Sequence, residues 1–125
     1  DLPVYRLADV YLMYAEAVLR GGTGGDIPTA VGYVNQIRTR AGATAVTATD
    51  LTLDFILAER GRELFWECHR RTDLVRFDKF TGSSKIWQWK GGVKNGTSTE
   101  PYRNLMPIPS RAIQANPTLK QNPGY

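Results

Sequence analysis

Three glutamates, Glu59, Glu63 and Glu67, recur at four-residue spacing in one segment. On a helix, this spacing places the three carboxylates on one face, about one turn apart. Two carboxyl groups at such a distance can act as the acid and the base of a glycosidase. A glycoside hydrolase is therefore one interpretation of this segment.

Arginines in the same segment favour a structural interpretation. Arg60 lies three residues before Glu63, and Arg71 lies four residues after Glu67, so both pairs can meet across a helical turn. A carboxylate beside a guanidinium stays ionised, whereas glycoside hydrolysis needs a protonated acid. We therefore predict that the protein is not an enzyme and that this segment is a structural ion-pair motif. The predicted motif comprises Glu59, Arg60, Glu63, Glu67, Arg70, Arg71 and Asp73.

Metal, cofactor and thiol chemistry lack the residues that they need. Cys68 and His69 are the single cysteine and the single histidine of the chain, too few for a zinc cluster. On a helix, these adjacent side chains point about 100° apart, so they do not form a thiolate–imidazole pair. The glycine-rich run at 21–25 lacks the Lys-Ser/Thr of a phosphate-binding loop. We expect no metal and no cofactor.

Two tryptophans, Trp87 and Trp89, are the candidate ligand-binding residues. They flank Gln88, and in an extended segment this spacing points both indoles to the same side. The two rings either stack against a sugar or fasten the loop onto the helices, and the sequence leaves both alternatives open. Five lysines lie in this half of the chain but on no recognition helix, so we do not expect a nucleic-acid partner.

The chain has 125 residues and a net charge of +4. Its length and composition allow it to bury a hydrophobic core. The sequence contains no apolar run near the roughly 20 residues of a membrane span. Residues 1–77 contain arginine but no lysine, and residues 78–125 contain all the lysines and 5 prolines. We predict a helical body at 1–77 and a loop-rich segment at 78–125 that packs on it.

Apolar periodicity predicts a pair of antiparallel helices at the start of the body. Pro3 suits the first turn of the first helix, which ends at Gly21. The second helix begins at Asp26 and ends at Gly42. The pair has a tetratricopeptide-like character, with a small residue, Ala15, where the helices meet. A single such unit implies neighbours outside this chain, because a stack needs about three repeats.

Further helices follow the pair. Thr52 is a suitable N-cap for a third helix that runs from Leu53 to about His69. A shorter helix is expected over 71–77. In the loop-rich segment, Ser110 is the predicted cap of a short helix over 111–115. The rest of this segment is expected to be loop, or at most a short strand or two around 86–89. The predicted fold class is all-α, with a loop-rich C-terminal layer.

Three groups of residues resemble the SusD/RagB family of nutrient-binding outer-membrane lipoproteins of Bacteroidetes. They are RLADVYLMYAEA at 6–17 with VNQIRTRAG at 34–42; ILAERGREL at 56–64 with Glu67, Arg70 and DLVR at 73–76; and PIP at 107–109 with QNPGY at 121–125. One departure is Cys68, where the family pattern commonly has a glycine. Members of the family are several hundred residues long, so the chain resembles the C-terminal portion of one.

The resemblance implies a surface-facing lipoprotein that binds a glycan or another nutrient without cleaving it. It also implies a TonB-dependent, SusC-like transporter as a partner, and the N-terminal remainder of the same chain as another. The lipid anchor and signal peptide would lie upstream of Asp1. The identity of the nutrient stays open, because the family's ligand site is formed largely by other parts of the chain. The alternative is a helical protein-interaction module, in which the half-apolar outer side of the first helix binds a partner protein.

Overall fold

The computed structural model of the chain describes residues 5–125. The predicted all-α class is confirmed: residues 5–125 form five α-helices and two short 3₁₀ turns and include no β-strand. The α-helices are α1 (Leu7–Leu19), α2 (Ile27–Arg40), α3 (Leu53–Glu63), α4 (Arg70–Arg76) and α5 (Ser110–Ala115). The 3₁₀ turns are Lys90–Gly92 and Pro101–Asn104. None of the helices in the described part of the chain has the length and apolar character to cross a membrane.

The chain forms two compact units, the first ending at Asp73 and the second comprising Leu74–Tyr125. The first unit contains α1, α2 and α3, and α1 packs against both of the others. Its core consists of fully or almost fully buried apolar side chains. These include Leu12, Ala15, Ala30, Val34, Ile56 and Leu57.

The α1–α2 pair forms where the sequence predicts it. Asp26 caps α2, as its carboxylate Oδ1 accepts a hydrogen bond of 2.8 Å from the backbone N–H of Thr29. The rings of Tyr11 and Tyr33 stack between the helices with their centroids 4.3 Å apart. Helix α1 begins at Leu7, and the predicted role of Pro3 lies outside the described residues.

Helix α3 begins where predicted but ends earlier. Thr52 caps it through a 3.1 Å hydrogen bond from the N–H of Phe55. The prediction that it continues to His69 is wrong, because Trp66 and Cys68 have left-handed backbones with φ of 66° and 63°. The chain turns back at this point, so that α4 begins at Arg70.

The second unit is held by turns rather than by long helices. Residues 86–89, where the sequence predicts loop or at most a short strand, form no strand, because Trp89 has a left-handed backbone with φ of 68°. The N–H of Lys90 instead bonds the carbonyl of Trp87 at 3.1 Å. Helix α5 forms, but Ser110 is its first residue rather than its cap, since Pro109 occupies the cap position.

Candidate functional site

Arg60 is the most deeply buried member of the predicted ion-pair motif. Its Nε donates a hydrogen bond of 2.9 Å to Oδ2 of Asp73, and its Nη1 donates one of 2.7 Å to Oδ1 of Asp9. The side chain of Arg60 is only 3% exposed. Arg60 therefore does not pair with Glu63, as the spacing predicted, but links α3 to α1 and to the first turn of α4.

Glu63 and Glu67 share one partner, Arg6, which precedes α1. Arg6 donates to Oε1 of Glu63 at 2.5 Å and also forms an ion pair with Glu67. Glu63 also pairs with a second arginine, since Nη2 of Arg40 in α2 lies 2.5 Å from its Oε2. Burial disfavours the charged form of Arg6, but its hydrogen bonds and the attraction of both carboxylates outweigh burial and raise its pKa.

Glu59 is held in the same way by two arginines. Arg38 of α2 lies 3.0 Å from Oε2 of Glu59, and Arg62 of α3 contacts the same carboxylate. Arg70 donates to the backbone carbonyl of Leu57 at 2.7 Å. The carboxylates of Glu59, Glu63 and Glu67 thus each lie against a guanidinium, an arrangement suited to holding helices together.

Four members of this ion-pair lattice were not identified from the sequence. They are Arg6, Asp9, Arg38 and Arg40. Their partners lie between 21 and 61 residues away along the chain, so spacing rules for a single helix could not find them. Only the family segments 6–17 and 34–42, which contain all four residues, pointed to this part of the chain.

Trp87 and Trp89 differ in their surroundings. Trp89 is 65% exposed, whereas the half-buried ring of Trp87 lies 4.7 Å from the ammonium Nζ of Lys90. Lys90 is an almost fully buried residue, and its Nζ donates to the carbonyls of Gly82 and Lys85 at 2.7 and 2.6 Å. Burial lowers the pKa of Lys90. Trp89 is therefore the indole of the pair that is accessible to a ligand.

A cavity of about 670 Å³ lies beside the turn that follows α3. Its apolar lining includes Ala58, Leu64, Phe65 and Trp66, and Cys68 lies at the same site. Over residues 5–125, no group of three or more histidine, cysteine, aspartate or glutamate side chains is arranged to hold a metal ion.

The family segments at 6–17, 34–42 and 56–64 agree with a comparison of the whole sequence against known protein families. The chain belongs to the SusD family, whose sequence profile matches residues 1–125. The match identifies a family of binding proteins rather than of enzymes.

Individual relatives support the assignment. The chain is 45% identical over its whole length to the starch-binding protein SusD of Bacteroides thetaiotaomicron, of which it covers 22%. A SusD superfamily protein from Bacteroides vulgatus has a similar structure over 98% of this chain, with a TM-score of 0.73 and 35% identity, and 27% of that protein is covered. Surface glycan-binding protein A from Bacteroides uniformis matches 94% of this chain with a TM-score of 0.69 and 30% identity, and 26% of it is covered. The chain thus spans about a quarter of the length of these relatives.

Proposed function

We propose that the full-length protein is the non-catalytic, glycan-binding component of an outer-membrane uptake system. The observation that carries the proposal is the family match over residues 1–125, together with relatives that are named for binding starch and surface glycans. The arginine partners of Glu59, Glu63 and Glu67 support the non-catalytic part of the proposal, because carboxylates held in ion pairs between helices are not available to a substrate.

Membership of the SusD family supports a proposal about the partners. We propose that the protein is a surface-facing lipoprotein that passes its glycan to a TonB-dependent, SusC-like transporter. In this arrangement, the present segment supplies part of the helical scaffold. We further propose that α1 and α2 are a tetratricopeptide-like pair, since fully buried Ala15 and Ala30 allow the helices to approach closely.

Trp89 is the residue of this segment that we propose contacts the glycan. Its indole is 65% exposed, and stacking of a ring on an indole contributes on the order of 1 kcal/mol. We propose that Trp87 stabilises the loop that contains Trp89, through its contacts with Lys90 and the ring of Phe80. A single ring contributes only part of the affinity, so the main binding residues lie elsewhere in the full-length protein.

Calorimetric titration of the full-length protein with maltooligosaccharides, plant hemicellulose fragments and host-type glycans tests the proposal. We expect binding of one of these classes and no release of reducing ends. Hydrolysis that is abolished by Glu63→Gln would overturn the non-catalytic assignment.

Paired variants test the tryptophan. Trp89→Ala should weaken glycan binding about fivefold, which corresponds to the loss of one stacked ring, while Trp89→Phe should retain most of the affinity. Unchanged binding by Trp89→Ala would show that the residue has no part in the site. Trp87→Phe is the matched control on the less accessible indole and should leave the affinity unchanged.

A second candidate function is a protein-interaction surface on the outer side of α1. Leu7, Val10 and Met13 recur at three-residue spacing on this helix and are 46–63% exposed. Such a stripe is typical of a helix that packs against a partner. Val10→Glu with Met13→Glu should reduce co-purification of the transporter with the full-length protein if this surface contacts it. Unchanged co-purification would exclude the transporter as its partner.

A further inference from the structure

The five residues from Leu64 to Cys68, here called the aromatic turn, expose two large rings to solvent. Phe65 is 72% exposed and Trp66 is 88% exposed. The rings meet edge to face with their centroids 6.2 Å apart. Adjacent exposed aromatic side chains of this size beside an apolar cavity are typical of an interaction surface.

The aromatic turn is held in place by the rest of the first unit. Leu64 is buried, and the N–H of Glu67 bonds its carbonyl at 3.1 Å. Arg6 bonds both the carbonyl of Glu63 and the carboxylate of Glu67, one on each side of the rings. The backbone of Trp66 is left-handed, a conformation that costs free energy in a residue other than glycine. The fold therefore maintains, at Trp66, a backbone conformation that costs free energy, and the indole of this residue is exposed.

The cavity beside the aromatic turn suits an apolar occupant rather than a sugar. Its polar side chains already have partners: Arg60 bonds two aspartates, Arg62 bonds Glu59, and Arg70 bonds the carbonyl of Leu57. A sugar needs a set of hydrogen-bonding groups that are free to reach its hydroxyls. Apolar side chains of a polypeptide need only the apolar walls, which Ala58, Leu64, Phe65 and Trp66 provide.

We propose that the aromatic turn is the docking surface for the polypeptide that precedes Asp1 in the full-length protein. The matched relatives are about four times as long as this chain, so a much larger body of the same polypeptide is available to cover the rings. The docking is intramolecular, and its high effective concentration allows an interface of this small size to form. The proposal does not depend on which glycan is bound.

Alkylation of Cys68 in the full-length protein tests the docking. Cys68 is exposed in this segment and lies on the cavity wall, so it reports whether the aromatic turn is covered. After a pulse of N-ethylmaleimide under native conditions, an isotopically heavy reagent is added under denaturing conditions. Trypsin then releases the peptide 63–70, which contains Phe65, Trp66 and Cys68 and is quantified by mass spectrometry.

We expect Cys68 to react at least about tenfold more slowly than a control cysteine introduced by Thr23→Cys in the exposed glycine-rich turn between α1 and α2. Trp66→Ser should raise the labelling rate of Cys68 at least about tenfold, whereas Trp66→Phe should preserve most of the protection. The wild-type measurement stands alone if either variant fails to fold.

Two results would overturn the proposal. Labelling of wild-type Cys68 as fast as the Thr23→Cys control would show that nothing covers the aromatic turn. Fast labelling that slows only when maltooligosaccharide is added would assign the turn to the glycan. In either case, intact glycan binding in calorimetry would leave the proposed function standing.

Discussion

Nε of Arg60 in α3 lies 2.9 Å from Oδ2 of Asp73 in α4, with both side chains almost fully buried. Two buried charges stabilise a fold only as a pair, because removal of one leaves the other unpaired in a medium of low polarity. Asp73→Ala should therefore lower the free energy of unfolding by about 3 to 5 kcal/mol, measured by urea titration of the full-length protein.

The double variant Arg60→Leu with Asp73→Leu is the control for this prediction. The double variant leaves Asp9 without Arg60, but Asp9 is partly exposed and can be hydrated. The loss of stability in the double variant should be smaller, by about 0.5 to 3 kcal/mol, than the sum of the losses in Arg60→Leu and in Asp73→Leu. Additive losses would show that the two side chains do not stabilise each other.

Glu63 and Glu67 give a second prediction, since both carboxylates bond Arg6 but differ in burial. The side chain of Glu63 is 7% exposed and holds Arg40 as well, whereas that of Glu67 is 34% exposed. Glu63→Gln should cost about 2 kcal/mol of unfolding free energy, and the matched change Glu67→Gln less than about 1 kcal/mol. Equal losses would contradict the view that burial sets the strength of these pairs.

The starts of α2 and α3 were predictable because they are set by local rules. Asp26 and Thr52 accept backbone N–H groups three residues ahead, and this spacing is visible in the sequence. The all-α class followed in the same way from periodicity. Features that depend on a few neighbouring residues were therefore found correctly.

The end of α3 was missed because the carboxylate spacing continues past it. Glu67 lies four residues after Glu63, as on a helix, yet Trp66 and Cys68 adopt left-handed backbones. The glycine that the family pattern has at position 68 was the available signal, since glycine adopts this conformation without strain. The partners of the ion pairs were missed for another reason, because contacts such as Arg6 with Glu63 form only after α1 and α3 pack together.

The segment around Trp87 and Trp89, for which loop or at most a short strand is predicted, forms no strand because turn-forming glycines follow it. Gly91, Gly92 and Gly96 all have positive φ, and alternation of side chains alone does not reveal such turns.

A third prediction concerns Gly96, which allows the turn at Trp87 to close. A Cβ atom on Gly96 would lie 2.2 Å from the carbonyl oxygen of Trp87, whereas one on Gly92 would have no atom within 4 Å. Both glycines have similar positive φ, 76° and 78°, so both substitutions share the cost of a left-handed backbone. Gly92→Ala should cost about 1 kcal/mol of unfolding free energy, and Gly96→Ala about 2 to 4 kcal/mol. Similar losses in urea titration would show that the turn has room for a side chain.

The final prediction concerns pH and the buried ammonium of Lys90. Burial lowers the pKa of Lys90 in the folded state below 10.5, its value in the unfolded chain. Between these two pKa values, the unfolded state binds more protons than the folded state, so stability due to this group increases as the pH rises. Below the folded pKa, the lysine is charged in both states and the full cost of burying the charge remains.

The measurement is the difference in unfolding free energy between wild type and Lys90→Met at a series of pH values from 7 to about 11. Other groups that titrate in this range are present in both proteins, so their contributions cancel. The difference should shift in favour of the wild type as the pH rises through the folded pKa of Lys90 toward 10.5. A shift in favour of the variant would mean that the carbonyls of Gly82 and Lys85 and the ring of Trp87 stabilise the charged ammonium by more than burial destabilises it.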